Sequence, residues 1–218
     1  LDMDVTFLHV LSVPDTVEMD ANGKISTCGD IDVSFVEQQK EMAERKLDEI
    51  KVAHGDHLNT AVVLGKTTTG IINYAEQNNY DLIVMRTKGA SGITERIVGS
   101  EAQILARKSA VPVLSLMCDR SNFELNNIVL VHDFKVNGKQ NLGLLNKFVN
   151  SFGTKVHLLE VTSSKGADKA EILSNMEKFA ENNNIPSYES HVLFDKDIEA
   201  GVIHFNQMNN MDMVCVGT

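Results

Sequence analysis

The sequence predicts an α/β protein built from two tandem, doubly wound parallel-sheet domains. Three observations lead there: an internal repeat, short apolar runs alternating with amphipathic stretches, and a length of 218 residues, enough for two domains of about 110. The repeat pairs Gly70-Ile71-Ile72-Asn73-Tyr74 with Gly201-Val202-Ile203-His204-Phe205. It continues from Asn78-Asn79-Tyr80-Asp81-Leu82-Ile83-Val84-Met85 to Asn209-Asn210-Met211-Asp212-Met213-Val214-Cys215, without a gap. Thr6-Phe7-Leu8-His9-Val10 is echoed by His157-Leu158-Leu159-Glu160-Val161, with a longer separation. Residues 1–120 are therefore assigned to one domain and 121–218 to another, with the link near residues 119–125.

In the first domain, the apolar run 5–13 predicts a strand, followed by a long polar loop around Asn22-Gly23 and Cys28-Gly29-Asp30. Val36, Ala43, Leu47 and Ile50 recur at helical spacing and predict a helix over 36–52. A strand at 60–64 follows. Thr67-Thr68-Thr69 offers N-cap hydroxyls to a helix buried through Ile71, Ile72 and Ala75. The stretch 81–85 is nearly all apolar, as a strand covered on both faces is. Ser100-Glu101-Ala102-Gln103 has the capping-box form and opens a helix buried through Ile104 and Leu105. Val111-Pro112-Val113-Leu114 closes the domain as an edge strand, where proline is tolerated.

The second domain predicts strands at 127–131, 155–161, 188–194 and 211–216, and helices at 137–152, 170–182 and 198–207. Such alternation implies a parallel sheet with right-handed crossovers. Each domain is expected to be incomplete, in a different place: the first starts at what the second shows to be its second strand, and the second stops before its last helix and strand. In a doubly wound order the first strand is central. Its omission would leave a row of unpaired backbone groups, each costing about 1–3 kcal/mol. The chain begins with Leu1 rather than methionine, so flanking residues are expected to supply that strand; a strand borrowed from another chain is the alternative.

Composition narrows function. With 30 acidic against 20 basic side chains the net charge is −10, which argues against a nucleic-acid or anionic-membrane binder. No window approaches the apolar length of a membrane span, and the polar N-terminus is no signal peptide. Cys28, Cys118 and Cys215 are scattered and form no CxxC pair, which points to thiols in the cytoplasm.

The chemistry-bearing stretch runs Met85-Arg86-Thr87-Lys88-Gly89-Ala90-Ser91-Gly92 and on to Gly99-Ser100. A glycine-rich turn leading into a helix N-terminus presents main-chain N–H groups and a positive dipole end to an anion. Ser100 adds a hydroxyl, and Arg86 or Lys88 a positive charge. The same residues also read as plain turns with Ser100 as an N-cap. Walker A and G-x-G-x-x-G patterns are absent. His54-Gly55-Asp56-His57 reads as solvated loop rather than metal site, so no metal ligands are expected. His132-Asp133 are adjacent on a strand and point apart, a poor acid/base pair. Asp195-Lys196-Asp197-Glu199 reads as helix-start charge, and Met208, Met211 and Met213 as core or linker packing.

From Asp81 through Gly99-Ser100 to Ser109-Ala110-Val111-Pro112-Val113-Leu114, the sequence resembles the universal stress protein family, whose nucleotide motif is G-x2-G-x9-G-[S/T]. Gly89 followed by nine residues and Gly99-Ser100 matches the later part of that motif. Val63-Leu64-Gly65-Lys66 resembles the family's third strand, and Ile128-Val129-Leu130-Val131-His132-Asp133 its first, which ends in an aspartate. The resemblance implies a Rossmann-like fold of the adenine nucleotide alpha-hydrolase type. It also implies an ATP site in which glycines hold phosphates and ribose while an aspartate and a valine hold adenine. Carried over, the first domain supplies Val10, Met85, Arg86, Thr87, Gly89, Gly92, Gly99 and Ser100. The second supplies Asp133, Val161 and Gly217. Arg86 stands where the family has its first motif glycine, and the second domain keeps Gly217 there. The arginine either pairs with a phosphate or fills the nucleotide's path. Glu101 puts a carboxylate beside the same anion position, or simply complements the helix dipole. The resemblance further implies magnesium with ATP, no catalytic residue, an internal pseudo-dimer through the last strands with residues 111–116 on one side, and a possible homodimer. The alternatives are a scaffold that has lost its nucleotide and an enzyme acting on phosphate.

Overall fold

The computed structural model describes residues 3–20, 22–55, 57–86, 100–116, 124–135, 142–164 and 166–217. It divides into two compact units, Leu1–Asp119 and Arg120–Thr218. Thr87, Gly89, Gly92 and Gly99 lie outside the described residues, as does the side chain of Ser100.

The first unit begins with β1 (Thr6–Leu11), paired in parallel with β4 (Asn59–Leu64) so that Val10 faces Val63. Between them the expected loop contains a hairpin, β2 (Val17–Met19) and β3 (Ile25–Thr27), which the sequence reading missed. Asp20 builds its turn: its carboxylate accepts from the N–H groups of Asn22 and Lys24, both at 2.9 Å, and Gly23 takes the left-handed φ of 79°. Val17 and Ile25 bury against Val36, so the hairpin covers the start of α1 (Val33–His54). That helix starts three residues earlier than its apolar stripe because Asp32 caps it, accepting from Ser34 N–H at 2.9 Å.

The helix α2 (Thr67–Gln77) corrects a second expectation. Its N-cap is Lys66, without a side-chain capping bond, and the three threonines are already helical. β5 (Ile83–Arg86) pairs in parallel with β6 (Val113–Leu116). Pro112 precedes β6, and its C=O accepts from Ile83 N–H at 2.9 Å. The expectation that this strand is covered on both faces is corrected too: Ile83 is buried with Ala75 and Leu105, whereas Val84 is 53% exposed. In α3 (Ser100–Lys108) the buried pair is Ala102 and Leu105, three apart on one face, and Ile104 points outward.

The second unit is a four-stranded parallel sheet in the order β10 (Met213–Val216), β7 (Asn127–Val131), β8 (Lys155–Thr162), β9 (Tyr188–Phe194). β7 and β8 are the most buried strands, as their near-continuous apolar runs demand. The helices α4 (Gly143–Phe152) and α5 (Lys169–Asn182) bring Leu145, Val149, Ile172, Met176 and Phe179 onto Ile128, Leu130, Val156 and Leu158. The helix α6 (Ile198–Asn209) covers the opposite face through Phe205, against Val129, Val131 and Leu159. Asp197 caps it by accepting from Ala200 N–H at 2.8 Å. Met208 is 65% exposed, against the expectation of core packing, while Met211 packs on the α6 face.

Among the described residues, β1–β4 and β5–β6 are separate two-stranded pieces, while β7 joins β10 to β8. The repeat sets β1 against β8 and β5 against β10, so the place that β7 occupies in the second unit has no described counterpart in the first.

Both repeat echoes converge on one contact. An added Cβ on Gly70 would lie 2.9 Å from Cγ1 of Val10, and one on Gly201 would lie 2.4 Å from Cγ1 of Val161. Helical glycine costs about 1 kcal/mol relative to alanine, so close approach is the reason for it here. Valine is stiff at χ1 and yields little. Gly201→Ala should therefore lower stability by roughly 1–3 kcal/mol despite its better helix propensity. Urea unfolding of Gly201→Ala, Val161→Ala and the double variant checks this, the double being more stable than the two single losses add up to.

Candidate functional site

In an open parallel sheet, ligands are held at the carboxyl ends of the strands. In the second unit the predicted residues Asp133, Val161 and Gly217 all lie there, at or just beyond the ends of neighbouring β7, β8 and β10. The chain leaving β7 is fixed by Phe134, which is 1% exposed and edge-on to Phe179 at 5.1 Å. Phe134 holds a left-handed φ of 49°, strained for a non-glycine residue and retained because the ring is anchored. The turn leaves the Asp133 carboxylate largely exposed. Among the described residues it accepts a long bond from Lys135 N–H, 3.3 Å.

His132 does not form the acid/base pair weighed for it. Its Nδ1 lies 3.6 Å from Asp133 but accepts from Phe134 N–H at 2.7 Å, which occupies the lone pair a base would use.

The hydrogen-bond pattern of β8 decides where Val161 faces. Leu159 C=O accepts from His132 N–H at 3.1 Å on the β7 side, and Thr162 C=O accepts from Asp195 N–H at 3.2 Å on the β9 side. Successive residues of a strand alternate in this respect. The main-chain N–H and C=O of Val161 consequently face the space beyond the end of β7, where Asp133 stands. Val161 meets Gly201 through its side chain, leaving its backbone edge for this purpose. In the first unit, Gly65 N–H donates to Leu11 C=O at 3.0 Å. By the same alternation the Val10 backbone faces away from β4.

Gly217 needs no unusual backbone, and an added Cβ would sit 3.8 Å from His132, an ordinary contact. A side chain at the equivalent place, occupied by Arg86 in the first unit, thus requires no change of strand path. Arg86 ends β5 opposite Leu116 and is exposed, while Met85 turns inward toward Ala75, Ile83 and Leu105. Val10 and Arg86 belong to separate strand pairs.

Glu160, beside Val161, was not singled out from sequence because it sits in an apolar run. It is buried to 9% exposure, and that burial raises its carboxyl above the ordinary 4.5. Lys135 opposes the shift and Asp133 adds to it. A second group unread in the sequence is His157, Glu189 and His191 on β8 and β9. Two polar residues spaced two apart on a strand share a face, and that was its readable signal. The partner His157 required knowing the strand register. Of the other motifs, His57 and Gly55 are described and Asp56 is not; Cys28 is exposed, and burial pushes the Cys215 thiol up to about 11.

A parallel sheet covered by helices on both faces defines the doubly wound class of α/β proteins. The Universal stress protein family matches residues 2–116, and the chain belongs to that family. Universal stress protein MJ0531 of Methanocaldococcus jannaschii is 26% identical over 113 residues, which is 52% of this chain and 64% of the relative, so the match spans less than two thirds of that protein. The crystal structure of a universal stress protein from Archaeoglobus fulgidus superimposes with a TM-score of 0.72 at 22% identity, covering 99% of this chain and 76% of that one. That likeness concerns the fold. No helix among the described residues is long and apolar enough to cross a membrane.

The raised Glu160 carboxyl has a pH consequence. A folded-state value above the unfolded one contributes stability below the unfolded value and loses it as pH rises through the folded value. Ionised Glu160 therefore costs stability at neutral pH. Glu160→Gln should stabilise the protein at neutral pH, with the gain vanishing below about the ordinary 4.5. Urea midpoints measured at both pH values check it.

Proposed function

We propose that this universal stress protein is a non-catalytic, cytoplasmic binder of an adenine nucleotide, ATP with magnesium foremost, that acts through conformation and partners. One observation supports this reading above the others: the main-chain edge of Val161 is turned to the β7 side of β8, beyond the end of the strand that the exposed Asp133 follows. Adenine carries an amino donor beside ring-nitrogen acceptors. A carboxylate or C=O and an N–H side by side match that edge. Gly217, at the end of the adjoining strand, keeps the neighbouring corner open. In the first unit, taken by itself, the phosphates of a nucleotide fall to the Gly89-to-Ser100 motif at the opening of α3, where main-chain amides at a helix start and its dipole favour anions. Magnesium would ride on the phosphates. The net charge of −10 argues against nucleic acid or an anionic membrane as partner. Protein partners, an internal pseudo-dimer of the two repeats or a homodimer carry the output.

The second reading, a scaffold without nucleotide, is favoured by Arg86, which sets a bulky cation where the second unit has Gly217. Calorimetric titration with ATP and magnesium separates the two. On the first reading heat is seen, and Asp133→Ala weakens binding about tenfold or more, the loss of a hydrogen bond to a charged group. Absence of heat and of a thermal shift establishes the scaffold. Arg86→Gly then shows what the arginine does: affinity rises if the side chain blocks the site and falls if it pairs with phosphate. Phosphate release above a Ser100→Ala control would overturn the non-catalytic part.

A further inference from the structure

At the amino ends of β8 and β9, on the α6 face and away from the strand ends discussed above, three ligating side chains meet. His157 on β8 stands opposite Glu189 on β9 in the parallel register, and His191 follows two residues on, on the same face. Nδ1 of His157 lies 3.1 Å from Nε2 of His191, and Oε2 of Glu189 lies 3.6 Å from the first and 3.8 Å from the second. Ligands about 2.0–2.2 Å from a tetrahedral zinc are about 3.3–3.5 Å apart, so this triangle is within a few tenths of an ångström of one face of that tetrahedron.

The surroundings fit as well. Asn127 Oδ1 lies 3.2 Å from Nε2 of His157. A carbonyl oxygen accepts only, so it holds the proton on Nε2 and leaves the Nδ1 lone pair directed into the triangle. The two imidazoles stack at 5.2 Å and His191 meets Phe205 edge-on at 4.8 Å, fixing both rings. His157 is buried, His191 is partly exposed and lines a surface depression with Phe205, and Glu189 is exposed, which gives an ion a way in. Lys155 is the opposing charge. It pairs with Oε1 of Glu189, leaving Oε2 to the triangle.

We propose that His157, Glu189 and His191 form a binding site for a divalent transition metal of the zinc type, with water as the fourth ligand. Both imidazoles bind in the neutral form. His191 carries its remaining proton on Nδ1, and no redox step is involved. Burial holds both imidazoles below the ordinary 6.5; His157 lowers His191 further, and for each ring Glu189 raises and Lys155 lowers it.

The test is titration of the whole protein with zinc, and with cobalt(II) as a spectroscopic stand-in, at neutral pH. One zinc per chain is expected, with intense visible cobalt bands of tetrahedral type and a rise in melting temperature. His191→Ala and Glu189→Gln alter accessible side chains and should each weaken zinc by about tenfold or more, while Asn127→Ala, through the outer shell, should weaken it by about 10–100-fold. Circular dichroism confirms that each variant is folded. Zinc affinity unchanged in His191→Ala assigns the binding to other surface histidines and overturns the proposal, as does a weak octahedral cobalt spectrum or no binding at all.

Discussion

The geometry rests on a contact without a Cβ. Gly70 over Val10 and Gly201 over Val161 let the helix after the outer strand settle onto the end of the inner strand, closer than any other residue permits. The consequence reaches beyond packing. With the valine side chain committed to the helix, hydrogen-bond alternation aims its backbone toward the neighbouring strand's end. The orientation of the Val161 main-chain edge of β8 goes with an apolar contact on its face.

The end of β7 is made by a different compensation. Phe134 occupies a left-handed conformation that costs of order 1–3 kcal/mol, and its ring, packed among His132 and Phe179, offsets that cost. The strain ends the strand sharply enough to leave Asp133 in solvent, while Glu160 beside it is drawn into the protein. Two carboxylates near the strand ends thus differ in character through burial: one is exposed to solvent, the other is held toward its neutral form.

Much of the architecture was legible because its signals are local and periodic. The apolar runs of β7 and β8, the stripe Val36-Ala43-Leu47 and the Gly70/Gly201 echo fixed the class of fold and the pairing of its elements. What escaped depended on one residue outweighing a pattern. Asp20 with Gly23 turned an apparent loop into a hairpin, Lys66 displaced the threonines as cap, and Leu105 with Ala102 took the buried face that Ile104 was expected to share. Of the predicted site, Asp133, Val161 and Gly217 stand together in the second unit, Val10 and Arg86 end separate strand pairs, and the glycine-rich turn falls outside the described residues. His157 with Glu189 and His191 lies more than 30 positions apart in sequence, and only the register of two parallel strands joins them.

One helix spans both ends of the second unit's chemistry. In its first turn α6 seats Gly201 on Val161 and, four residues later on the same face, sets Phe205 against His191. Along β8 the corresponding positions are Val161 and His157, about 13 Å apart on the strand against about 6 Å on the helix, and the long Phe205 side chain makes up part of that difference. Close-packed interiors transmit displacement rather than absorb it. A shift of α6 that opened the glycine–valine contact would also tilt Phe205 on the imidazole, and an ion spreading the two imidazole nitrogens from 3.1 Å to the separation of tetrahedral ligands would press on the same helix. The tight seat of Gly201 is what makes the two ends of the sheet mechanically one.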